Sequence, residues 1–422
     1  MEKKRLQQIK RQRKRQRRQI RFSFFSGLLV GSAAVFCFYH VYYTPRLATE
    51  AATEQSKTQE QIETLTGQNT DLQKEIDLNK QHLKAEAEKK QPRMTFGQPN
   101  NGEQFPDLAS QIDNKFHEAN FIGSLLVIKN NQIVLEKGYG YADKSQERLN
   151  APNTEFMIAS VQKAYTAVLV MKLVEEGLLT LDTPLSTFYP NLPNSDQLTI
   201  KSLINMTSGL QMKGFNSQGG TEEDTIKYAL NTVTYAPLSK WNYSAVNYTL
   251  LAGIIRQLTG RSYQDYFTSQ IITKLNLEHT GFYQSFYSNP NHAVASDPKN
   301  APYAVPLKTA DNIFAAETGT GNVYATTGDV FTFFQALLDG KLLSKNSLSE
   351  LWARPELAFE YTYAAGLYHN EQSLNGHGVI VGFEPTLAFS ADGRTGIITL
   401  SNYLYPKSQN ANLTKEIFKL LE

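Results

Sequence analysis

Ser160 and Lys163 stand three apart in IASVQKAYTA, residues 158–167. A serine hydroxyl becomes a nucleophile when a neighbouring base takes its proton, and an amine is a competent base only where its surroundings disfavour the ammonium form. The spacing alone carries little information, because one S-x-x-K is expected by chance about once in a chain this long. SDPK, from Ser296 to Lys299, is a second copy. Ser296 lies in a loop-like stretch with Pro298 and has no helix to fix its geometry. Ser160 opens an apolar run at helical spacing, so Ser160 and Lys163 share one face and the amine can lie beside the hydroxyl. A helix start also offers free N–H groups to a developing oxyanion. Ala159 and Val161 flank the serine, and no Asp or Glu stands between it and Lys163, which suits a poorly solvated site. The competing reading makes Ser160 a helix N-cap with no chemistry.

The elements that must hold this pair are legible on both sides of it. FIGSLLVIKNNQIVLEKGYGYAD reads as two strands joined at Asn130 and Asn131, a residue type that tolerates the positive φ of a tight turn. TEFMIASVQKAYTAVLVMKLVEEGLLTLDTPL reads as a long helix ending near Gly177. TIKSLINMTSGL and NYTLLAGIIRQLTGRSYQDYFTSQII add helical segments, and GVIVGFEPTLAFS and TGIITLSNY return to strand. Strand, helices, then strand again predicts an α/β fold: an antiparallel sheet flanked by helices, with a mostly helical insertion.

The chain has 422 residues, enough for a large core, and one cysteine, Cys37, which excludes a disulfide framework and a cysteine-based zinc site. Residues 1–21 carry eleven Lys and Arg against one Glu. Removing that +10 from the formal +2 of the chain leaves −8 for the rest. Residues 22–43, FSFFSGLLVGSAAVFCFYHVYY, follow as a largely apolar stretch in which His40 is the only potentially charged group. A helix of that length reaches ~33 Å, enough to cross a hydrocarbon core of ~30 Å. A cleaved signal peptide would be shorter and would end at small residues, whereas this stretch ends in Tyr42, Tyr43 and Pro45. The expectation is an uncleaved single-pass type II anchor with the basic tail in the cytosol against lipid phosphates, not a nucleic-acid arm, and the remainder outside the cell. Residues 44–104 then read as a helical stalk or linker. Ile62, Leu65, Leu72, Ile76 and Leu83 fall on a heptad seam that Asn69 and Asn79 interrupt, so a weak coiled coil, self-associating through the stalk, and a single solvated helix both fit. Residues 105–422 are the expected globular domain.

Within that domain FMIASVQKAYTA, LVEEGLLTLDTPL, LINMTSGL, YSAVNYTLLAGIIRQLTG and VYATTGDVFTFF occur in order. Together they resemble the serine β-lactamase-like superfamily, in the class C branch with penicillin-binding proteins and serine esterases. The resemblance runs from about residue 105 to the end. It implies a two-lobed α/β fold with a mostly helical second lobe, acylation of Ser160, deprotonation assisted by Lys163, and Tyr243 as the tyrosine that relays a proton to the leaving group. The sequence departs from the family pattern twice. Where the family has Tyr-x-Asn this chain has Tyr243-Ser244-Ala245; Asn247, one helical turn from Tyr243, is either a partial replacement or a surface residue. The third motif, Lys or His, a small residue and Gly, matches NGHGVIVGFEP without a gap as Gly376-His377-Gly378. That match makes the Val379 N–H the second oxyanion donor, Gly378 the close approach of the strand, and His377 either a hydrogen-bond donor to substrate at the cleft or a mere strand residue; sliding by one puts His377 first but loses that glycine.

The resemblance and the expected anchor together imply an extracellular serine hydrolase facing peptidoglycan and teichoic acid. Losing the asparagine and the third-motif lysine removes groups that hold an amide substrate, and esters need less leaving-group activation. Teichoic acid D-alanyl esters are the leading substrate class. A low-activity D-alanyl-D-alanine carboxypeptidase acting on peptidoglycan stem peptides is the alternative enzyme, and a silent cell-wall sensor or scaffold the alternative of another kind. No metal, cofactor or nucleic-acid partner is expected.

Overall fold

A computed structural model describes residues 94–307 and 311–421. The basic tail, the expected span and residues 44–93 of the expected stalk lie outside the described residues. Among the described residues, no helix is long and apolar enough to cross a membrane. Contacts gather Met94–Glu422 into one unit. Residues 94–104, read above as the end of the stalk, pack on this unit. The Phe96 ring meets Phe331 edge-on at 5.5 Å, and the Gly97 N–H donates to Glu136 Oε1 at 2.9 Å.

Helix α1 (Pro106–Glu118) leads into strands β1 (Gly123–Lys129) and β2 (Gln132–Tyr139). The turn between the strands falls at Asn130 and Asn131, both at positive φ (52° and 60°), as a two-residue hairpin requires. Strands β3 (Tyr363–Ala364), β4 (Leu367–His369), β5 (Ser373–His377), β6 (Glu384–Ser390) and β7 (Gly396–Ser401) come from the far end of the chain. They join β1 and β2 in one antiparallel sheet of order β3-β4-β5-β6-β7-β1-β2. The expected strand GVIVGFEPTLAFS therefore begins later than predicted. Its first residues make a hairpin tip, with Val381 and Gly382 at φ 42° and 80°, between β5 and β6.

Strands β1, β6 and β7 are buried on both faces, which is why they read as nearly continuous apolar runs. On the outer face Val127, Ala388 and Ile397 pack with Ile112 and Phe116 of α1 and with Ile417 and Phe418 of the last helix, α9 (Gln409–Leu421). The inner face, with Leu126, Leu387 and Ile398, belongs to the main core. That core is built around α2 (Gln162–Glu175), whose residues from Gln162 to Leu173 are all buried. A helix enclosed on every side has no solvated stripe, and truncating a side chain such as Leu169 to alanine is expected to cost ~2–5 kcal/mol. Around it lie α3 (Ile200–Ile204), α4 (Glu222–Thr232), α5 (Val246–Thr259), α6 (Tyr263–Phe267), α7 (Thr327–Leu338) and α8 (Lys345–Trp352). The predicted architecture, an antiparallel sheet with helices on its faces and a mostly helical insertion, is the one observed.

Candidate active site

Ser160 sits in a single 3₁₀ turn, Ala159–Val161, between the two-residue strand Phe156–Met157 and α2. The strand is paired with Val323–Ala325, and the Ile158 N–H donates to Val323 O at 2.9 Å, so the approach to the serine is pinned from both sides. Ala159 takes φ 44°, a conformation that costs a residue with a Cβ ~1–3 kcal/mol. It turns the chain sharply between strand and helix and leaves Ser160 partly accessible.

Lys163, one turn on, is almost wholly buried (1 % exposed). Its Nζ lies 3.0 Å from Ser160 Oγ and 2.9 Å from Thr320 O. Among the described residues no carboxylate pairs with it. The carbonyl is held in place by α2 itself. Gln162 accepts from the Val323 N–H at 3.0 Å and donates to Asn322 Oδ1 at 3.0 Å, while Thr166 Oγ1 donates to Gly319 O at 2.8 Å. Glu317 Oε2 accepts from Thr320 Oγ1. Three side chains of α2, at positions 162, 163 and 166, thus grip residues 319–323. Gln162 and Thr320 were not found from the sequence; the only trace of the first is a polar residue beside Lys163 at the start of a mostly apolar helix.

Tyr243 completes the cluster, with its hydroxyl donating to Ser160 Oγ at 2.8 Å and its ring 5.3 Å from Lys163 Nζ. It stands in an irregular stretch just before α5 and is 38 % exposed, so its orientation comes from neighbouring rings. Trp241 and Tyr363 meet it edge-on at 6.2 and 6.0 Å, and Trp241 is anchored by its Nε1–H to Asn205 O at 3.0 Å. Asn247 does not enter the site. It is buried, accepts from Ser208 Oγ at 2.6 Å and donates to Ser244 O at 2.8 Å, so its amide braces the turn that carries Tyr243. Ala245 leaves the place of the family's asparagine without a polar side chain.

Beyond β5 the chain passes directly over the serine. A Cβ added to Gly378 would lie 2.7 Å from Ser160 N and 2.9 Å from Ala159 Cβ, so only glycine allows this approach. The geometry supports the ungapped match, with Gly378 as the third-motif glycine. Among the hydrogen bonds of the described residues, neither the Ser160 N–H nor the adjacent Val379 N–H has an acceptor. Two free donors beside a serine oxygen are the elements of an oxyanion hole.

His377 is placed differently from expectation. It pairs with Thr386, and directly opposed residues of antiparallel strands point to the same face. Thr386 bonds Thr399 at 2.7 Å and Thr414 of α9, so this is the outer face. There His377 Nε2 lies 3.1 Å from Oε1 of the buried Glu384, on the opposite side of the strand from Ser160. The reading of His377 as a donor at the cleft is corrected accordingly. The second S-x-x-K is also separated: Ser296 is buried, and its Oγ accepts from the Tyr303 N–H at 3.1 Å while Lys299 is exposed.

Comparison with known proteins identifies the family and the fold. A model of the family described as Beta-lactamase matches residues 112–422. The chain is 32% identical over 317 residues to the putative penicillin-binding protein PbpX of Bacillus subtilis, covering 75% of this chain and 79% of that protein. It is 27% identical to protein flp of Staphylococcus aureus over 66% of this chain and 59% of flp. Among solved structures, FmtA from Staphylococcus aureus superposes with a TM-score of 0.68 at 24% identity, over 79% of this chain and 94% of FmtA. A D-amino acid amidase from Ochrobactrum anthropi superposes at 0.62 and 21% identity, over 75% of this chain and 98% of the amidase. The family match spans the sheet and its helical lobe, and the chain belongs to the β-lactamase family, the β-lactamase/transpeptidase-fold serine hydrolase superfamily that includes penicillin-binding protein homologues.

Proposed function

We propose that this chain is a serine hydrolase of the cell envelope that releases D-alanyl groups from teichoic acid esters through an acyl-enzyme on Ser160. The observation that carries the reading is the position of Ser160 Oγ, 3.0 Å from Lys163 Nζ and 2.8 Å from the Tyr243 hydroxyl. A neutral lysine has two N–H bonds and one lone pair. With one N–H given to Thr320 O, the lone pair can face Ser160. The serine oxygen attacks the ester carbonyl as its proton passes to Lys163, and the carbonyl oxygen gains the Ser160 and Val379 N–H donors as it becomes negative. The C–O bond to the polyol then breaks, and Tyr243 delivers a proton to the departing oxygen. Water attacks the acyl-enzyme along the same path in reverse and releases D-alanine.

Ala245 supports an ester over an amide, since an alcohol leaves with less protonation than an amine. The similarity in fold to a D-amino acid amidase supports an acyl group of D configuration. The test supplies D-alanylated lipoteichoic acid and, separately, a peptide ending in D-alanyl-D-alanine, and measures released D-alanine. Faster release from the ester is expected; faster release from the peptide replaces this reading with the carboxypeptidase, and release from neither replaces it with a silent binder. We place the domain outside the cell, anchored by residues 22–43. Protease added to intact cells should then remove the domain and spare the basic tail, and a soluble protein beginning after residue 43 would contradict the anchor.

A further inference from the structure

A cleft of about 650 Å³ lies apart from Ser160. It opens where the outer face of the sheet emerges beside α9, with Ser373 and Asn375 of β5 on one wall and Lys415, Phe418 and Lys419 of α9 on the other. Arg354, from the segment after α8, closes a third side. Lys415 and Lys419 are four apart on one helix and so share a face, where like charges repel. Among the described residues none of the three cations pairs with a carboxylate. Glu416, between the two lysines, is turned to Lys115 at 2.5 Å, and Glu371 is the one acidic residue in the lining. His369 adds no charge, because burial pushes its imidazole down to about 4.

This concentration of positive charge is not a general property of the surface. Residues 94–422 hold 23 Lys and Arg against 30 Asp and Glu, a formal −7. The rest of the lining is polar and uncharged, with Asn370, Gln372 and Thr362 beside the Ser373–Asn375 pair, whose Oγ and Nδ2 are 2.8 Å apart. Three unpaired cations set among amide and hydroxyl groups suit a chain in which phosphates alternate with hydroxylated units, each phosphate able to meet a cation and each hydroxyl an amide. The cleft lies on the face of the sheet opposite Ser160, near it only along the strand. Gly378, where an added Cβ would meet Ser160 N, is three residues beyond Asn375, or ~10 Å along an extended strand, so a polymer held in the cleft reaches the serine by passing round the end of β5.

We propose that this cleft binds a polyol phosphodiester chain on the outer face of the sheet, holding a polymer long enough for its ester substituents to pass the end of β5 and reach Ser160. The proposal rests on the esterase reading above for the second half of that statement only. Binding at a distance from the reacting bond is a source of energy that a small ester cannot supply, so the effect of the cleft should fall on the polymer and not on a minimal substrate.

The test is residue-resolved, because the basic tail of the full chain would itself attract a polyanion. Full-length protein in detergent is treated with an amine-reactive reagent, with and without ester-free poly(glycerol phosphate), and the labelling rate of each lysine is read by mass spectrometry. Labelling of Lys415 and Lys419 is expected to slow at least ~5-fold and to recover in high salt, while Lys227, exposed and far along the chain on α4, is unaffected. Dextran and polyglutamate should protect neither lysine. Arg354→Glu should weaken the protection and raise KM for D-alanylated lipoteichoic acid while leaving p-nitrophenyl acetate turnover unchanged; that turnover also reports that the variant is folded. Unchanged labelling of Lys415 and Lys419, or equal protection by polyglutamate, would overturn the cleft as a phosphodiester site. If protection is seen but wild-type protein releases no D-alanine from the polymer, the esterase reading fails and the cleft stands. If D-alanine is released without protection, the reverse holds.

Discussion

Gly378→Ala separates the oxyanion site from the fold more cleanly than any change to the serine itself. The added Cβ would stand 2.7 Å from Ser160 N, where an unstrained contact needs ~3.5 Å, so strand and serine must part by roughly 0.8 Å. Oxyanion donors act over a window of only ~2.7–3.1 Å, and losing one costs ~10²–10³-fold in kcat, or about 3–4 kcal/mol. Gly378 is not at positive φ, so alanine meets no backbone penalty there, and overpacking is the remaining cost, ~1–3 kcal/mol of stability. Gly376→Ala is the control. Its Cβ would lie 2.9 Å from Leu387 Cγ, on the same face of β5 but against the core and not the serine. Hydrolysis of p-nitrophenyl acetate and thermal unfolding are measured on both variants. Gly378→Ala should lose ~100-fold or more in turnover, and Gly376→Ala should lose stability with turnover near wild type. A folded Gly378→Ala variant that hydrolyses the ester at a near-normal rate would refute the placement of the oxyanion hole between Ser160 and Val379.

Two further outcomes follow from the geometry. Tyr243→Phe removes the hydroxyl 2.8 Å from Ser160 Oγ and should cut ester turnover ~100-fold, the usual range for a general acid or base, with little change in unfolding temperature because the ring and its aromatic contacts remain; a near-normal rate would move the proton relay elsewhere. Glu136 is buried with Oε2 unpartnered, and burial pushes its carboxyl up from 4.5 to about 7. Because the folded value is the higher one, this group favours folding at low pH, and its contribution is lost as pH rises from about 4.5 through about 7. Glu136→Gln, which can keep the bond to the Gly97 N–H, should therefore raise the unfolding temperature at pH 8 by an amount corresponding to roughly 3 kcal/mol or less and leave it unchanged at pH 4, as read by calorimetry. Equal effects at both pH values would show that Glu136 is not protonated on folding.

The sequence was most informative where chemistry is local. The Asn130–Asn131 turn, the run of α2 and the Ser160–Lys163 spacing are each set within a few residues, and each was legible before the fold. Matching Tyr243 and Gly378 needed a family pattern, since each meets Ser160 from more than eighty residues away. What the sequence could not supply was orientation and register. His377 is one residue from Gly378, and in a strand that single step is the difference between facing the serine and facing Glu384. Gln162 and Thr320 escaped notice because their meaning lies in a contact across about 160 residues. TIKSLINMTSGL read as a helix of ordinary length, but only Ile200–Ile204 are helical; Met206 at φ 54° ends the turn, and the side chain of Ser208 is engaged with Asn247.

The central claim is that Ser160 is acylated, and covalent labelling reads it directly. Full-length protein is incubated with a fluorophosphonate, its intact mass is measured, and the modified peptide is sequenced by mass spectrometry. The account predicts one adduct per chain on Ser160, none on Ser160→Ala, and slowed formation in Lys163→Ala with the circular dichroism spectrum unchanged. A Ser160→Ala protein that labels at the wild-type rate would contradict it and leave Ser160 as the residue that merely opens a helix.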